Sequence, residues 1–144
     1  MIEVRPFKSF HLDLLRAQGV QRDQLTEISL VPAACANLPS PSGPALTVFD
    51  DDRVVLCGGI IVQAPERGEC WALVAEGSGR YMHWLHFAVK RFITMQRWKR
   101  LEASVPQGFG QGCRWVRLLG FSFEGELKNY GPNGETYLRF ARYR

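Results

Sequence analysis

The stretch Leu73-Val-Ala-Glu-Gly-Ser-Gly-Arg80 decides the fold: an apolar strand stops at a Gly-x-Gly turn, and a long helical pattern begins at once. A helix that opens this way leaves its first amide N–H groups without partners, and its dipole places partial positive charge at the same end. Together these make a site suited to a phosphate. A Gly-x-Gly turn also serves as an ordinary tight corner, so its surroundings must carry the reading.

Working outward, Gly79 to Trp98 is the best helix in the chain. Tyr81, Leu85, Ala88, Phe92 and Met95 fall on one stripe, with Met82, Val89 and Ile93 beside it. Lys90, Arg91, Arg97 and Lys99 take the remaining surface, where the plain reading is a solvated face. Upstream, Cys70 to Ala75 hardly alternates, which predicts a strand covered on both sides. Ala45 to Phe49 and Arg53 to Gln63 are β-branched runs joined by Asp50-Asp51-Asp52, a hairpin pattern. Gly58-Gly59 inside the second run marks a bulge or a close backbone approach, and Pro65 to Gly68 turns the chain again.

The ends complete the order. Ile2 to Pro6 reads as a strand, and Ser9 as the cap of a helix over Phe10 to Ala17 with Leu12, Leu14 and Leu15 on its apolar face. Gln21 to Leu30 fits a second short helix, and Val31 to Pro44 a loop. After the long helix come a strand at Leu101 to Val105, a glycine-rich link and a brief helix at Cys113 to Leu119 stopped by Gly120. Strands at Phe121 to Tyr130 and Thr136 to Arg142 flank Gly131-Pro-Asn-Gly134. No internal repeat interrupts this, and residues 1–144 read as one α/β (α+β) domain on a mostly antiparallel sheet.

Composition sets the bounds. A chain of 144 residues with 46% hydrophobic side chains can bury a real core. A net charge of +4 suits anionic ligands but falls short of a nucleic-acid footprint. Cys35, Cys57, Cys70 and Cys113 are scattered without a C-x-x-C pair, which points to free thiols in a reducing cytoplasm. The opening Met1-Ile-Glu-Val-Arg-Pro-Phe7 has no apolar signal core, and no run is long enough to span a bilayer, so no membrane partner is expected. His83 and His86 stand three apart on the helix, but no further ligand has metal-site spacing, so no metal is expected. Trp84, Phe87 and Trp98 lie partly off the core stripe and suit a contact with another subunit or protein, or the cover of a sheet edge.

The element order with Gly-x-Gly after the fourth strand resembles the GNAT superfamily of N-acetyltransferases. Arg53-Val-Val-Leu-Cys-Gly-Gly-Ile60 is similar to the family's third strand, and Glu76-Gly-Ser-Gly-Arg80 stands where its pyrophosphate loop (Gln/Arg-x-x-Gly-x-Gly/Ala) runs. Arg117-Leu-Leu-Gly-Phe-Ser-Phe-Glu-Gly-Glu126 resembles the family's ending, a helix stopped at Gly-Phe and a strand continuing with Glu-Gly. The chain looks particularly like a phage-encoded branch, some of whose members are internal virion proteins.

The resemblance implies a six- to seven-stranded sheet with helices on both faces, splayed between the fourth and fifth strands. It implies acetyl-CoA or another acyl-CoA as cosubstrate, with pantetheine along Val74 and Ala75 and diphosphate on Gly77, Ser78, Gly79, Arg80 and Tyr81. An unidentified amine would be the acceptor, and a virion protein or a second copy a further partner, in host cytoplasm or virion. Deprotonating an amine needs a base, and Glu76, Glu102 and Ser104 are the candidates, the last acting through water. Glu102 and Ser104 share one strand face by the period of two. Their plain readings are a solvated carboxylate and a hydrogen-bonded strand end.

Three positions depart from the family pattern. Glu76 replaces the loop's leading Arg or Gln, and its carboxylate opposes a diphosphate unless Arg80 offsets it. Val116 stands where a proton-donating Tyr is frequent, and Phe109 falls near a frequent Asn. Two functions follow: an acyl-CoA-dependent N-acetyltransferase, or a phage structural protein that keeps the fold without turnover.

Overall fold

A computed structural model describes residues 1–18, 43–131 and 133–144. The helix expected at Gln21 to Leu30, most of the loop after it, and Cys35 lie outside the described residues. Seven strands form one sheet in the order β1-β2-β3-β4-β5-β7-β6. They are β1 (Ile2–Pro6), β2 (Ala45–Asp50), β3 (Arg53–Ala64), β4 (Arg67–Val74), β5 (Arg100–Pro106), β6 (Ser122–Leu127) and β7 (Tyr137–Tyr143). Among the described residues the α-helices are α1 (Phe10–Gln18), α2 (Met82–Met95) and α3 (Gly110–Leu118). β1 with β2, β2 with β3, β5 with β7 and β6 with β7 pair antiparallel, whereas β4 with β5 is parallel and therefore needs the α2 crossover. By compactness the chain divides into Met1–Ile61 with Cys70–Ser78, and Val62–Glu69 with Gly79–Arg144.

In the first unit, β1 and β3 flank β2, from Ile2↔Asp50 to Pro6↔Leu46 and from Ala45↔Gly59 to Asp50↔Arg53. The paired glycines resolve into two separate features. A Cβ on Gly59 would stand 2.5 Å from Ala45 Cβ and 2.7 Å from the Pro44 carbonyl, so this is the close approach. The register shift sits elsewhere in the same hairpin, between Val48 and Phe49. Leu12 and Leu15 anchor α1 on Phe49, Val54, Cys57, Trp71 and Leu73, whereas Leu14 is exposed rather than part of that face. His11 is buried, its Nδ1 accepting the Lys8 N–H (3.1 Å) and lying 2.8 Å from Thr47 Oγ1. Burial pushes its proton affinity down, helped by the charges of Lys8 and Arg5. Burial also drives the neighbouring Cys57 thiol up to about 12.

In the second unit, β7 lies between β5 and β6, registered from Arg100↔Tyr143 to Pro106↔Tyr137 and from Ser122↔Ala141 to Leu127↔Tyr137. Leu101, Ala103 and Val105 form the buried face of β5. Gly112 of α3 fits against Val105 and Phe109, so Phe109 is a core residue. The end of α3 explains the Gly-Phe pair. Gly120 has φ +96°, its N–H reaches the Arg117 carbonyl, and the Phe121 N–H reaches that of Val116. This is the Schellman closure, which favours glycine at the left-handed position.

Boundaries move where hydrogen bonds compete. The helix expected to reach Trp98 stops at Met95, because the Lys99 and Arg100 amides both turn to the Glu66 carbonyl (3.0 and 3.1 Å). Met95, placed on the apolar stripe by periodicity, is therefore 69% exposed beyond the last packed turn. β4 starts at Arg67 and not Cys70, since Arg67, Gly68 and Glu69 pair with Arg100, Leu101 and Glu102. β6 ends at Leu127, ahead of Asn129 with φ +56°.

Candidate functional site

The turn after β4 has the backbone that its glycines promised, with one change. Gly77 takes φ +79°, a conformation open to glycine and strained for other residues. Ser78–Tyr81 then form a tight 3₁₀ turn, and the α-helix proper begins only at Met82. The Tyr81 side chain makes no cap hydrogen bond at the helix start, and no acidic residue lies in the first turn. A Cβ placed on Gly77 or Gly79 would meet nothing within 4 Å, so the space over both glycines is open. Val74 and Ala75 are buried, and Ala75 donates its N–H to the Val55 carbonyl (2.9 Å). Arg53 fixes the Glu76 carbonyl at 2.9 Å, which holds the entry to the turn while the residue stays exposed. Arg80 stacks over the Tyr81 ring at 4.8 Å.

The second feature is a polar cluster on the second unit's strands. Ser104 Oγ donates to Glu69 Oε1 at 3.3 Å, and Gln63 Nε2 donates to Glu69 Oε2 at 3.2 Å. Glu102 accepts Arg100 Nε on one oxygen and Arg139 Nη1 on the other, each at 2.8 Å. Arg139 Nη1 also lies 3.6 Å from Glu69 Oε1, and Arg100 pairs with Glu124. That pairing lowers the proton affinity of Glu124, the hydrogen bond being the main cause, and raises that of Arg100.

Of the three expected base candidates, the structure brings Glu102 and Ser104 into one network, while Glu76 belongs to the turn after β4. Glu69 was missed because Pro65 to Gly68 reads as a turn. A signal was nevertheless present. Arg67-Gly-Glu69 and Arg100-Leu-Glu102 repeat Arg-x-Glu at the strand period, and they pair residue for residue. At the position of the frequent Tyr, Val116 gives its carbonyl to the helix closure, and at that of the frequent Asn, Phe109 packs in the core and bonds through its backbone to Pro106 and Cys113. His86 Nδ1 is buried with no hydrogen bond among the described residues, and burial lowers its proton affinity. Among the described residues no group of three or more His, Cys, Asp or Glu side chains could hold a metal. No helix there is long and apolar enough to cross a membrane.

A mostly antiparallel seven-stranded sheet with one parallel pair and a crossover helix opening at a glycine turn defines a fold class. Solved structures identify it. A ribosomal-protein-alanine N-acetyltransferase from Brucella melitensis superposes with TM-score 0.71 at 16% identity, covering 99% of each chain. An N-acetyltransferase from Staphylococcus aureus Mu50 gives TM-score 0.70 at 10% identity, covering 99% of this chain and 97% of its own. A spermidine N-acetyltransferase SpeG chimera from Vibrio cholerae and hSSAT gives TM-score 0.69 at 11% identity, covering 99% and 95%. The chain has the GNAT N-acetyltransferase fold. These neighbours lend nothing to the phage branch. No family model and no curated protein matches the sequence.

Proposed function

We propose that the protein is an acyl-CoA-dependent N-acetyltransferase acting on a small or peptidic amine. The observation that supports it most is the glycine turn that leads into α2, where Gly77 takes φ +79° and, among the described residues, a Cβ on Gly77 or Gly79 would meet nothing within 4 Å. The turn from Gly77 to Tyr81 would hold the diphosphate, with Gly77 and Gly79 leaving room for it, and the Val74–Ala75 backbone would lie along the pantetheine arm; the Ser78 and Ala75 N–H groups are already given to the Ala75 (3.3 Å) and Val55 (2.9 Å) carbonyls. Arg80, four residues further along the chain, would be the cation to offset Glu76. Acetyl-CoA, when bound, supplies an acyl group already activated as a thioester.

The chain's own part is to make the amine nucleophilic. An ammonium must lose a proton before its lone pair can attack a carbonyl. Glu102 has both oxygens engaged by guanidinium groups, so in this reading it positions Arg100 and Arg139. Ser104 is the better contact: its hydroxyl takes the amine proton as its own passes to Glu69 Oε1. Gln63 and Arg139 hold that carboxylate in place. Glu76 remains the alternative acceptor at the turn. Val116 and Phe109 offer no proton to a departing thiolate, so water supplies it.

The same two positions favour a second reading, a protein that retains the fold without turnover; the phage structural or internal virion role is the form of it that the sequence resemblance implies. Thiol release from acetyl-CoA in the presence of amine pools separates them. Turnover that falls about a hundredfold in Ser104→Ala and Glu69→Gln supports catalysis by this network. Acetyl-CoA binding with no acetylation of peptide, polyamine or antibiotic amines supports the second reading. No binding at all removes both the diphosphate loop and the activity.

A further inference from the structure

Helix α2 carries an apolar face that stays exposed among the described residues. Leu85 and Ile93 are its buried residues, while Trp84, Phe87 and Met95 are 40%, 59% and 69% exposed. At 100° per residue, Trp84, Phe87, Arg91 and Met95 make one stripe (i, i+3, i+7, i+11), with Lys90 at its edge. Phe87 is braced: the rings of His83 and His86 meet it edge-on at 5.0 and 5.7 Å. An exposed aromatic already held in place loses little freedom on binding. The helix contains no Asp or Glu, and neither Lys90 nor Arg91 forms an ion pair among the described residues.

We propose that this stripe docks an acidic amphipathic helix of a partner protein, with apolar residues on Trp84, Phe87 and Met95 and carboxylates on Lys90 and Arg91. The stripe's spacing is that of helix-to-helix packing. A second copy is disfavoured, because a two-fold contact would set Arg91 and Lys90 against their own kind. A bilayer is disfavoured because Arg91 lies within the apolar stripe and would enter the acyl region with it, where no anion sits, whereas a partner helix can set a carboxylate there. This surface stands independently of the acetyltransferase reading.

The test uses the full chain and a synthetic helix-forming peptide with leucines at i, i+3, i+4 and i+7 and glutamates beside them. Binding is followed by tryptophan emission, with Trp84→Phe as the blank. The expected result is saturable binding that falls about tenfold in the Lys90→Glu/Arg91→Glu double variant and in Phe87→Ser. The double variant should then bind the lysine version of the peptide. All three positions are exposed, and circular dichroism confirms that the variants stay folded. Equal binding of a scrambled peptide of the same composition overturns the proposal. So does indifference to charge reversal, absence of binding at about 100 µM, or preferential capture of the face by phosphatidylglycerol vesicles or by a second copy in sedimentation.

Discussion

Replacing Gly79 by valine separates the loop's proposed ligand from its fold. Gly79 has no φ in the left-handed region, and an added Cβ would meet nothing within 4 Å, so the chain accepts a side chain there. The unliganded variant should melt within about 2 °C of wild type, since surface changes of this kind move stability by about 0.5 kcal/mol or less. The ligand effect should differ sharply. Acetyl-CoA at about a hundred times its dissociation constant stabilises a specific binder by about 2.7 kcal/mol. For 144 residues the unfolding entropy is about 0.3 kcal/mol/K, which makes this a rise of about 9 °C. Two branched methyl groups over the helix start should remove most of it. Gly77→Ala should behave oppositely: at φ +79° it loses about 1 kcal/mol, hence about 3 °C, before any ligand is added. Differential scanning fluorimetry with and without acetyl-CoA reads both. An undiminished ligand shift in Gly79→Val would refute the diphosphate placement, and an unchanged melting point in Gly77→Ala would refute the turn geometry.

Three further outcomes follow from the packing. Gly59→Ala forces a methyl to 2.5 Å from Ala45 Cβ and 2.7 Å from a backbone carbonyl. It should cost about 2–3 kcal/mol, seen as a fall of about 7–10 °C in melting temperature. His11 has a lowered proton affinity in the fold, so the unfolded chain binds its proton first as pH falls. Its contribution is present in full above about pH 6.5, declines as pH drops through that value, and levels off below the folded value. Urea titrations from pH 7.5 to 5 should show a smaller stability loss in His11→Gln than in wild type; parallel curves would exclude the effect. With its thiol pushed up to about 12 and fully buried, Cys57 should escape iodoacetamide at pH 8 in the native protein and react once it is unfolded, by peptide mass spectrometry.

The fold was legible because its punctuation is chemical. Asp50 to Asp52 marked one hairpin, Gly120 one helix end and Gly77-Ser-Gly79 one helix start, and each stands where backbone dihedrals need it. What periodicity could not show were contacts made from a distance. The Glu66 carbonyl takes two amides and ends α2 before Trp98, and nothing local to Gln96 announces it. His11 reads as a polar residue on a helix yet is buried, because Thr47 of β2 meets its ring nitrogen. The site shows the same division. The glycine turn is local and was readable, whereas the Glu69–Ser104 contact joins residues 35 apart in sequence. Glu102 looked like a free carboxylate until Arg139 from β7 met it.

The final strand of the sheet has consequences for when this protein can exist at all. β7 is flanked by β5 and β6, so its seven residues hold two neighbours that do not pair with each other. A nascent chain still lacking Tyr137 to Tyr143 leaves both of those neighbours with raw edges toward the gap. That half of the molecule therefore assembles after synthesis has passed Tyr143, and chains cut short before Tyr137 should yield aggregates where upstream surface substitutions yield soluble protein.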